Sequence, residues 1–535
     1  MNDTLPKNNI VETLCLAGLL FAGLLQAASA QNVSTFQVSL QRRVPSIEKD
    51  IAKGTLVIRQ EIQQWNPKET AIIVCDMWDQ HWCHGATSRV AEMAPRMNEV
   101  LTLARQKGMT IVHAPSDTVT KYYQDHPARK RAQQFRVPEI EKRLGRGADK
   151  LDAEKDAVWP IDQADGGCDC TPTCKQGPPY PWKQQIETLT IGDEKDLISD
   201  SGVEMGSYFE EKGINNVILM GVHTNMCVIG RSFGLRNMVR LGKNVVLMRD
   251  LTDTMYNSKC APFVSHFTGN SLMQEYIETY VCPSMVSTDF LGQTQFRFQE
   301  DSRPLIAFIT ADNEYRTNQR FHEFAHELLL TKNVNCDFAV GDQDIRSPGR
   351  HNIENLQILK DADLVILAVR RRALEEGKMN LIKDYVNSGK PLVGIRVASH
   401  AFSVRETIAA HLVTWDRFDQ EVWGGNYVNH HRNTETAISI VPGMESHPLL
   451  RGVNPEGFST PGSLYYCRPL APSAQVLLLG TLPGVPQEPV LWINHRPNGA
   501  TSYTSLGHWN DWEMPDFKQL MLNIVDNGVR AFTQK

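Results

Sequence analysis

The sequence predicts an α/β protein made of two doubly wound parallel-sheet domains in tandem. Three observations carry that reading. Short apolar runs of strand length alternate with amphipathic stretches of helical period. The alternation falls into two blocks, separated near residues 285–303 within "MVSTDFLGQTQFRFQEDSRP". At 535 residues the chain is also too long for one ordinary core.

The first block opens with a strand at Thr70–Cys75, apolar without alternation, as in a sheet covered on both faces. A helix follows with Val90, Met93, Met97, Val100 and Leu101 on one face, and Gly108 ends it. Met109–Ala114 is the next strand. An insertion over about 115–185 is basic in "KYYQDHPARKRAQQFR" and then rich in Cys and Pro. Insertions of that size usually shape or cover a site. A strand at Glu187–Ile191 and a helix around Val203–Lys212 come next. "NNVILMGVHTNMCVIGRSFGLRNMVRLGKNVVLMRD" (215–250) then reads as a βαβ unit. Its strands are Val217–Met220 and Asn244–Met248. Between them a helix from Met226 carries Val228, Phe233, Leu235, Met238 and Leu241, and stops at Gly242. The second block has strands at Pro304–Thr310, Asp363–Val369 and Pro391–Ile395. A helix with Leu374, Met379, Leu381, Ile382, Tyr385 and Val386 lies between the last two. Neither block repeats the other, and there is no low-complexity tract.

A hydrophobic content of 41% and a formal charge of −6 are those of a globular protein and speak against nucleic acid as a partner. Residues 14–30, "LCLAGLLFAGLLQAASA", form an apolar run ending in Ala28-Ser29-Ala30. This is a signal-peptide pattern over residues 1–30, with cleavage near Ala30 and only Lys7 as a basic residue before it. The mature protein is expected to be exported, periplasmic or secreted, with an uncleaved anchor helix as the alternative. No later segment is long and apolar enough to span a bilayer. Export permits disulfides. The loop "GGCDCTPTCKQGPPYPW" holds Cys168, Cys170 and Cys174 at spacings unlike a two-pair CxxC zinc site. An internal disulfide, or one to Cys83, is preferred here to a metal, and the pairing stays open.

Cys227 falls in the first turn of the helix that follows Val217–Met220. Unpaired amides and the positive helix end there favour a thiolate. The position is the carboxyl end of a parallel strand, where open α/β sheets build their sites; the alternative is one more buried cysteine.

"AIIVCDMWDQHWC" and "GVHTNMCV" together resemble the isochorismatase-like cysteine hydrolase family, which includes nicotinamidases and other amidases. The resemblance covers roughly residues 68–285, within a domain placed at 50–290. It implies Cys227 as nucleophile and Asp76 as the base that takes its proton. It further implies a cis peptide near Val222-His223 and an oxyanion hole from the amides of His223 and Cys227. His81, Thr224 and Arg231 would line the substrate pocket. The family's third member is a lysine, for which Lys195 in "IGDEKDLISDSG" is the nearest candidate, without the family's flanking pattern; Arg231 is a substitute cation. No cofactor is required. A divalent metal in this pocket would have to draw on His113, Asp117 and His126, which lack the tight spacing of the nicotinamidases, and on His81 or His84 beside Cys83.

Over 303–533 the chain resembles the ThuA-like (trehalose-utilisation) domain, a relative of class I glutamine amidotransferases in its Rossmann-like three-layer fold. The matching stretches are "PLVGIRVASHAF", "WGGNYVNHH", "IVPGMESHPLLRGV" and "PVLWINHRPNGATSYTSLGHWNDWEMPDFKQLMLNIVDNGV". Where amidotransferases carry a cysteine, this chain has Val397-Ala398-Ser399-His400, which removes amidotransferase chemistry. Ser399, His400, His431, His508 and Trp512, with His430 and Trp423, are the candidate residues of a carbohydrate-related pocket.

The expected function is hydrolysis of a small amide or related C–N bond through a Cys227 thioester, with an appended domain for a carbohydrate-like ligand. The alternatives are a non-catalytic exported binding protein, or a sugar-processing protein whose activity lies in the second half. Proteins of the first family often self-associate, so a homo-oligomer is compatible with the resemblance.

Overall fold

An antiparallel hairpin precedes the expected first strand. β1 (Phe36–Pro45) pairs with β2 (Leu56–Trp65) from Phe36↔Trp65 to Pro45↔Leu56. Its polar stretches, "QRR" and "RQEIQQ", carry no apolar run, so hydrophobic periodicity did not reveal it. The computed structural model describes residues 35–46, 55–147, 149–192, 194–344, 346–432 and 434–533, and the expected signal peptide lies outside them. All described residues fall in one compact unit, Thr35–Lys535.

β3 (Thr70–Cys75), β4 (Thr110–Ala114), β5 (Leu197–Ile198), β6 (Asn216–Val222), β7 (Asn244–Asp253) and β8 (Ser284–Met285) complete the first sheet, in the order β2-β1-β8-β7-β6-β3-β4-β5. From β8 to β5 every pairing is parallel, and β1 joins β8 antiparallel. Helix α1 (His84–Lys107) buries Val90, Met93, Met97, Val100 and Leu101, the face expected for it. Gly108 caps it at φ 90°, the left-handed conformation of a C-terminal glycine.

Two expected elements differ. Glu187–Ile191 is a turn in which Leu189 is buried while Glu187, Thr188 and Thr190 are exposed, and the edge strand is β5. The helix expected over Met226–Leu241 is broken into a wide turn at Thr224–Val228 and a helix at Leu235–Arg240. Gly234 stands at the break. A side chain there would approach Val228 O to 2.8 Å and Arg231 N to 2.9 Å.

The second sheet runs Asn335–Val340, Leu305–Ala311, Leu364–Val369, Leu392–Ile395, Gly499–Thr504, Glu488–Arg496, Ala474–Thr481, Thr436–Ile440, Phe458–Thr460. The first five are parallel, in keeping with a doubly wound α/β architecture. The last four extend the sheet antiparallel. The hairpin ties the two sheets together. Ile58 exchanges backbone bonds with the Asn318 amide at 3.1 and 2.8 Å, and Gln60 bonds Phe338 O and Val340 N at 2.7 and 3.0 Å. Arg249 of β7 reaches Asp337 at 2.9 Å.

Candidate active site

β3 and β6 lie side by side with Cys75 opposite Gly221. Gly221 sits at φ 114°, and a Cβ there would fall 2.1 Å from Cys75 O. Only glycine lets the strand ends approach this closely. The next peptide, Val222–His223, is cis, as the resemblance implies. Asp76, the first residue after β3, is fully buried in the left-handed region at φ 49°. Backbone conformations of this kind concentrate at functional sites.

The Asp76 carboxylate is held from three sides. Ser116 N donates to Oδ1 at 2.8 Å, Arg231 Nε donates to Oδ2 at 3.1 Å, and the Cys227 thiol lies beside the same group. The N–H of His223 is directed at Cys227 Sγ. Burial pushes the Cys227 thiol up, the Asp76 charge adds to this, and Arg231 opposes it. The expected helix start is instead a single wide turn, Thr224–Val228, and burial beside a carboxylate there favours the thiol over the thiolate. Burial also raises Asp76 above the usual carboxylate range, against Arg231 and its hydrogen-bond donors. A raised carboxyl is a stronger base toward a thiol. Burial alone would lower Arg231, but Asp76 and its other anionic neighbours override it and keep the guanidinium charged. Arg231 also pairs with Asp117 at 3.5 Å.

Lys195, the expected third member, is exposed in the turn before β5 and is not among the partners of Asp76. The cation beside the acid is Arg231. The neighbouring Asp196 turns inward instead, taking Arg105 at 2.7 Å and His113 at 3.1 Å. His113, Asp117 and His126 do not converge: His113 bonds Gln185 and Asp196, Asp117 faces Arg231, and His126 caps the helix Pro127–Ala132.

His81 lies on the wall of the site, its ring 4.9 Å from that of His223. It stacks on Trp182 at 5.6 Å and Trp78 at 6.0 Å, and burial with the charge of Arg89 pulls it down to about 4. Trp182 stacks on Trp78 at 4.6 Å and on Tyr180 at 4.3 Å. Of this aromatic wall the sequence pointed to His81 but not to Trp78, Trp182 or Tyr180. Its signals were Trp78, two residues past Asp76, and "PPYPW" in the insertion. Thr224, expected in the pocket, is fully buried and bonds Thr252 at 2.7 Å, so it braces the core.

In the second half the left-handed position after strand Leu392–Ile395 is Arg396, at φ 46°. It is fully buried, donates to Ser505 O at 2.6 Å and Ser463 Oγ at 2.9 Å, and lies over the rings of Tyr315 (4.3 Å) and Tyr465 (4.8 Å). Around this cation stand His508, 6.0 Å from Tyr315, and His430, 5.9 Å from Tyr465. His400 stacks on Tyr427 at 4.6 Å, and Ser399 Oγ lies 3.0 Å from His400 Nδ1. No carboxylate is among the described hydrogen-bond partners of His400, so the third group of a serine triad is missing from them. His431 bonds Tyr466 at 2.9 Å. Trp512, expected in the pocket, packs on Phe517 (5.1 Å) and Phe324 (5.5 Å) in the core.

The family described as trehalose utilisation (ThuA) matches residues 312–526. Among solved structures, a ThuA-like protein from Parabacteroides merdae is 16% identical with a TM-score of 0.31, covering 42% of this chain and 89% of its own. A cysteine hydrolase from Pseudomonas syringae pv. phaseolicola is 18% identical with a TM-score of 0.26, covering 42% and 91%. N-carbamoylsarcosine amidase from Thermoplasma acidophilum is 13% identical with a TM-score of 0.22, covering 41% and 96%. No curated protein matches the chain. Residues 312–526 of this chain are a ThuA domain.

Proposed function

We propose that the N-terminal half is a cysteine hydrolase of small amides or related C–N bonds, with Cys227 as nucleophile, Asp76 as acid–base and Arg231 as the cation of the site. The observation that carries the reading is the contact set of Asp76: a thiol, a guanidinium and a backbone amide on one buried carboxyl group. Asp76 takes the Cys227 proton as sulfur attacks the carbonyl carbon. The His223 N–H, directed at sulfur in the resting state, and the Cys227 N–H then receive the oxyanion. The C–N bond breaks as Asp76 passes its proton to the leaving nitrogen. Water, losing a proton to Asp76, cleaves the thioester and releases the acid, and the thiol regains its proton. The aromatic wall of His81, Trp78 and Trp182 suits a flat or apolar acyl group.

The test is ammonia release from a panel of small primary amides and N-carbamoyl compounds by the full chain. Activity lost in Cys227→Ser, with the fold intact by circular dichroism, supports the reading. No turnover of any member, with Cys227 inert to acylating probes, favours the non-catalytic binding protein.

A second reading concerns the ThuA domain, where the rings and histidines around Arg396 suit a polyhydroxylated ligand. Calorimetric titration with trehalose tests it, and the absence of heat in wild type would contradict it for that sugar. Export is proposed from residues 1–30, and the N-terminal sequence of the mature protein checks it.

A further inference from the structure

The insertion between β4 and β5 brings three cysteines to a fourth. Cys83 immediately precedes α1, and Cys168, Cys170 and Cys174 come from the Gly/Pro-rich loop. Their four sulfur atoms all lie within 4.8 Å of one another, and Cys83 Sγ stands 3.7 Å from Cys170 Sγ. Four ligands on a tetrahedral zinc with Zn–S of about 2.3 Å stand about 3.8 Å apart. No disulfide is formed among the described residues.

Each sulfur also receives backbone N–H groups, the outer support typical of thiolate metal ligands. Ala86 N–H is directed at Cys83 Sγ. Gly85 N donates to Cys170 Sγ at 3.3 Å, and His84 N to Cys174 Sγ at 3.5 Å. Cys174 N donates to Cys168 Sγ at 3.5 Å. Three of these amides belong to the first turn of a 24-residue helix, whose positive end favours anionic sulfur. Cys83 and Cys168 are 1% exposed and lie with Ala86, Met255, Met226 and Trp82 in a small apolar cluster. Among its described residues the loop has no helix or strand from residue 155 to β5. A loop of this kind is commonly held by a cross-link or a metal.

We infer that Cys83, Cys168, Cys170 and Cys174 form a closed structural site for one thiophilic divalent cation of the zinc class. The sequence spacing, C-x-C-x3-C with a distant fourth, hid it, because the fourth ligand is 85 residues away from Cys168 (168 − 83). Loading exchanges up to four thiol protons for the metal and transfers no electrons. With four protein ligands the ion has no open position for substrate, so its role is to staple the insertion to the start of α1. Met226 of the same cluster adjoins Cys227, and Trp182 follows Cys174 by eight residues in the same loop. The staple therefore supports the aromatic wall. The inference stands on the sulfur geometry and is independent of the amidase reading.

The experiment uses the full chain, purified without chelator and reduced, then offered zinc under competition with a chromophoric chelator. About one zinc per chain by elemental analysis is expected, with four cysteines shielded from alkylation until zinc is stripped. Cobalt in its place should give the thiolate charge-transfer and tetrahedral d–d bands. The double variant Cys170→Ser/Cys174→Ser should lose the metal, while Cys260→Ser keeps it. Failure of reduced wild-type protein to take up zinc or cobalt overturns the proposal, whatever the variants do. So does peptide mapping that finds these cysteines in disulfides which, once reduced, bind no metal.

Discussion

At the scale of the residue, the site turns on how burial is offset. Asp76 is buried and raised, yet it keeps the Ser116 amide and Arg231 as donors. Removing its basicity in Asp76→Asn is expected to lower turnover by roughly 10²–10⁴-fold, read as kcat on any amide the panel yields. Arg231→Lys should retain more activity than Arg231→Gln, since charge beside Asp76 is what the position supplies. A second buried acid gives a test of stability. Burial alone would raise Asp196, but hydrogen bonds from His113 and Arg105 hold it at about 2. Its ordinary value is about 3.9. Because the folded value is the lower one, the stability it contributes is present above about pH 4 and is lost as pH falls toward 2. The expected loss is about 2–3 kcal/mol. Urea unfolding of wild type and Asp196→Asn at pH 5 and pH 2.5 checks it, with a smaller pH dependence expected in the variant. Cys227 and Asp76 were legible because both sit in ordered motifs at strand ends. The acidity of the thiol was not, since dipole direction can be read from sequence but burial beside a particular carboxylate cannot.

At the scale of the element, the close approach of β3 and β6 makes the site. Gly221→Ala would force a Cβ against Cys75 O at 2.1 Å and hold alanine at φ 114°. Both effects oppose the native strand ends, and a loss well above the ~1 kcal/mol of an ordinary glycine replacement is expected, seen as a lowered Tm. Strand runs such as Val217–Met220 and Leu392–Ile395 were legible because they are apolar and buried on both faces. β1 and β2 were not, since residues of each face outward and polar side chains interrupt their apolar pattern. Lys195 misled for a related reason. A two-residue edge strand beside a turn leaves the direction of each charge undetermined, and Asp196 rather than Lys195 points inward.

At the scale of the molecule, the two sheets share some apolar packing, with Leu329 in the core of the first and Ile58 in that of the second, and are also joined by buried polar contacts. Arg249 is 9% exposed and reaches Asp337 at 2.9 Å and Glu278 at 3.9 Å. Arg249→Ala leaves Asp337 buried without its cation, while Glu278 keeps Arg43 at 3.0 Å, and the expected cost is about 3–5 kcal/mol. The double variant Arg249→Ala/Asp337→Ala should recover part of that loss, and denaturant midpoints of the two variants measure it. The division into two α/β blocks was legible from the alternation of strands and helices. The joining hairpin and the antiparallel extension of the second sheet were not, because their strands are partly exposed and mix polar with apolar residues.

The central claim is that Cys227 attacks carbonyl carbon with the help of Asp76. Acetylation by p-nitrophenyl acetate, quenched and mapped by peptide mass spectrometry, tests it most directly. One acetyl group on Cys227, formed faster in wild type than in Asp76→Asn and absent in Cys227→Ser, is the predicted result. A Cys227 that stays unmodified, or is modified equally fast in Asp76→Asn, would contradict it.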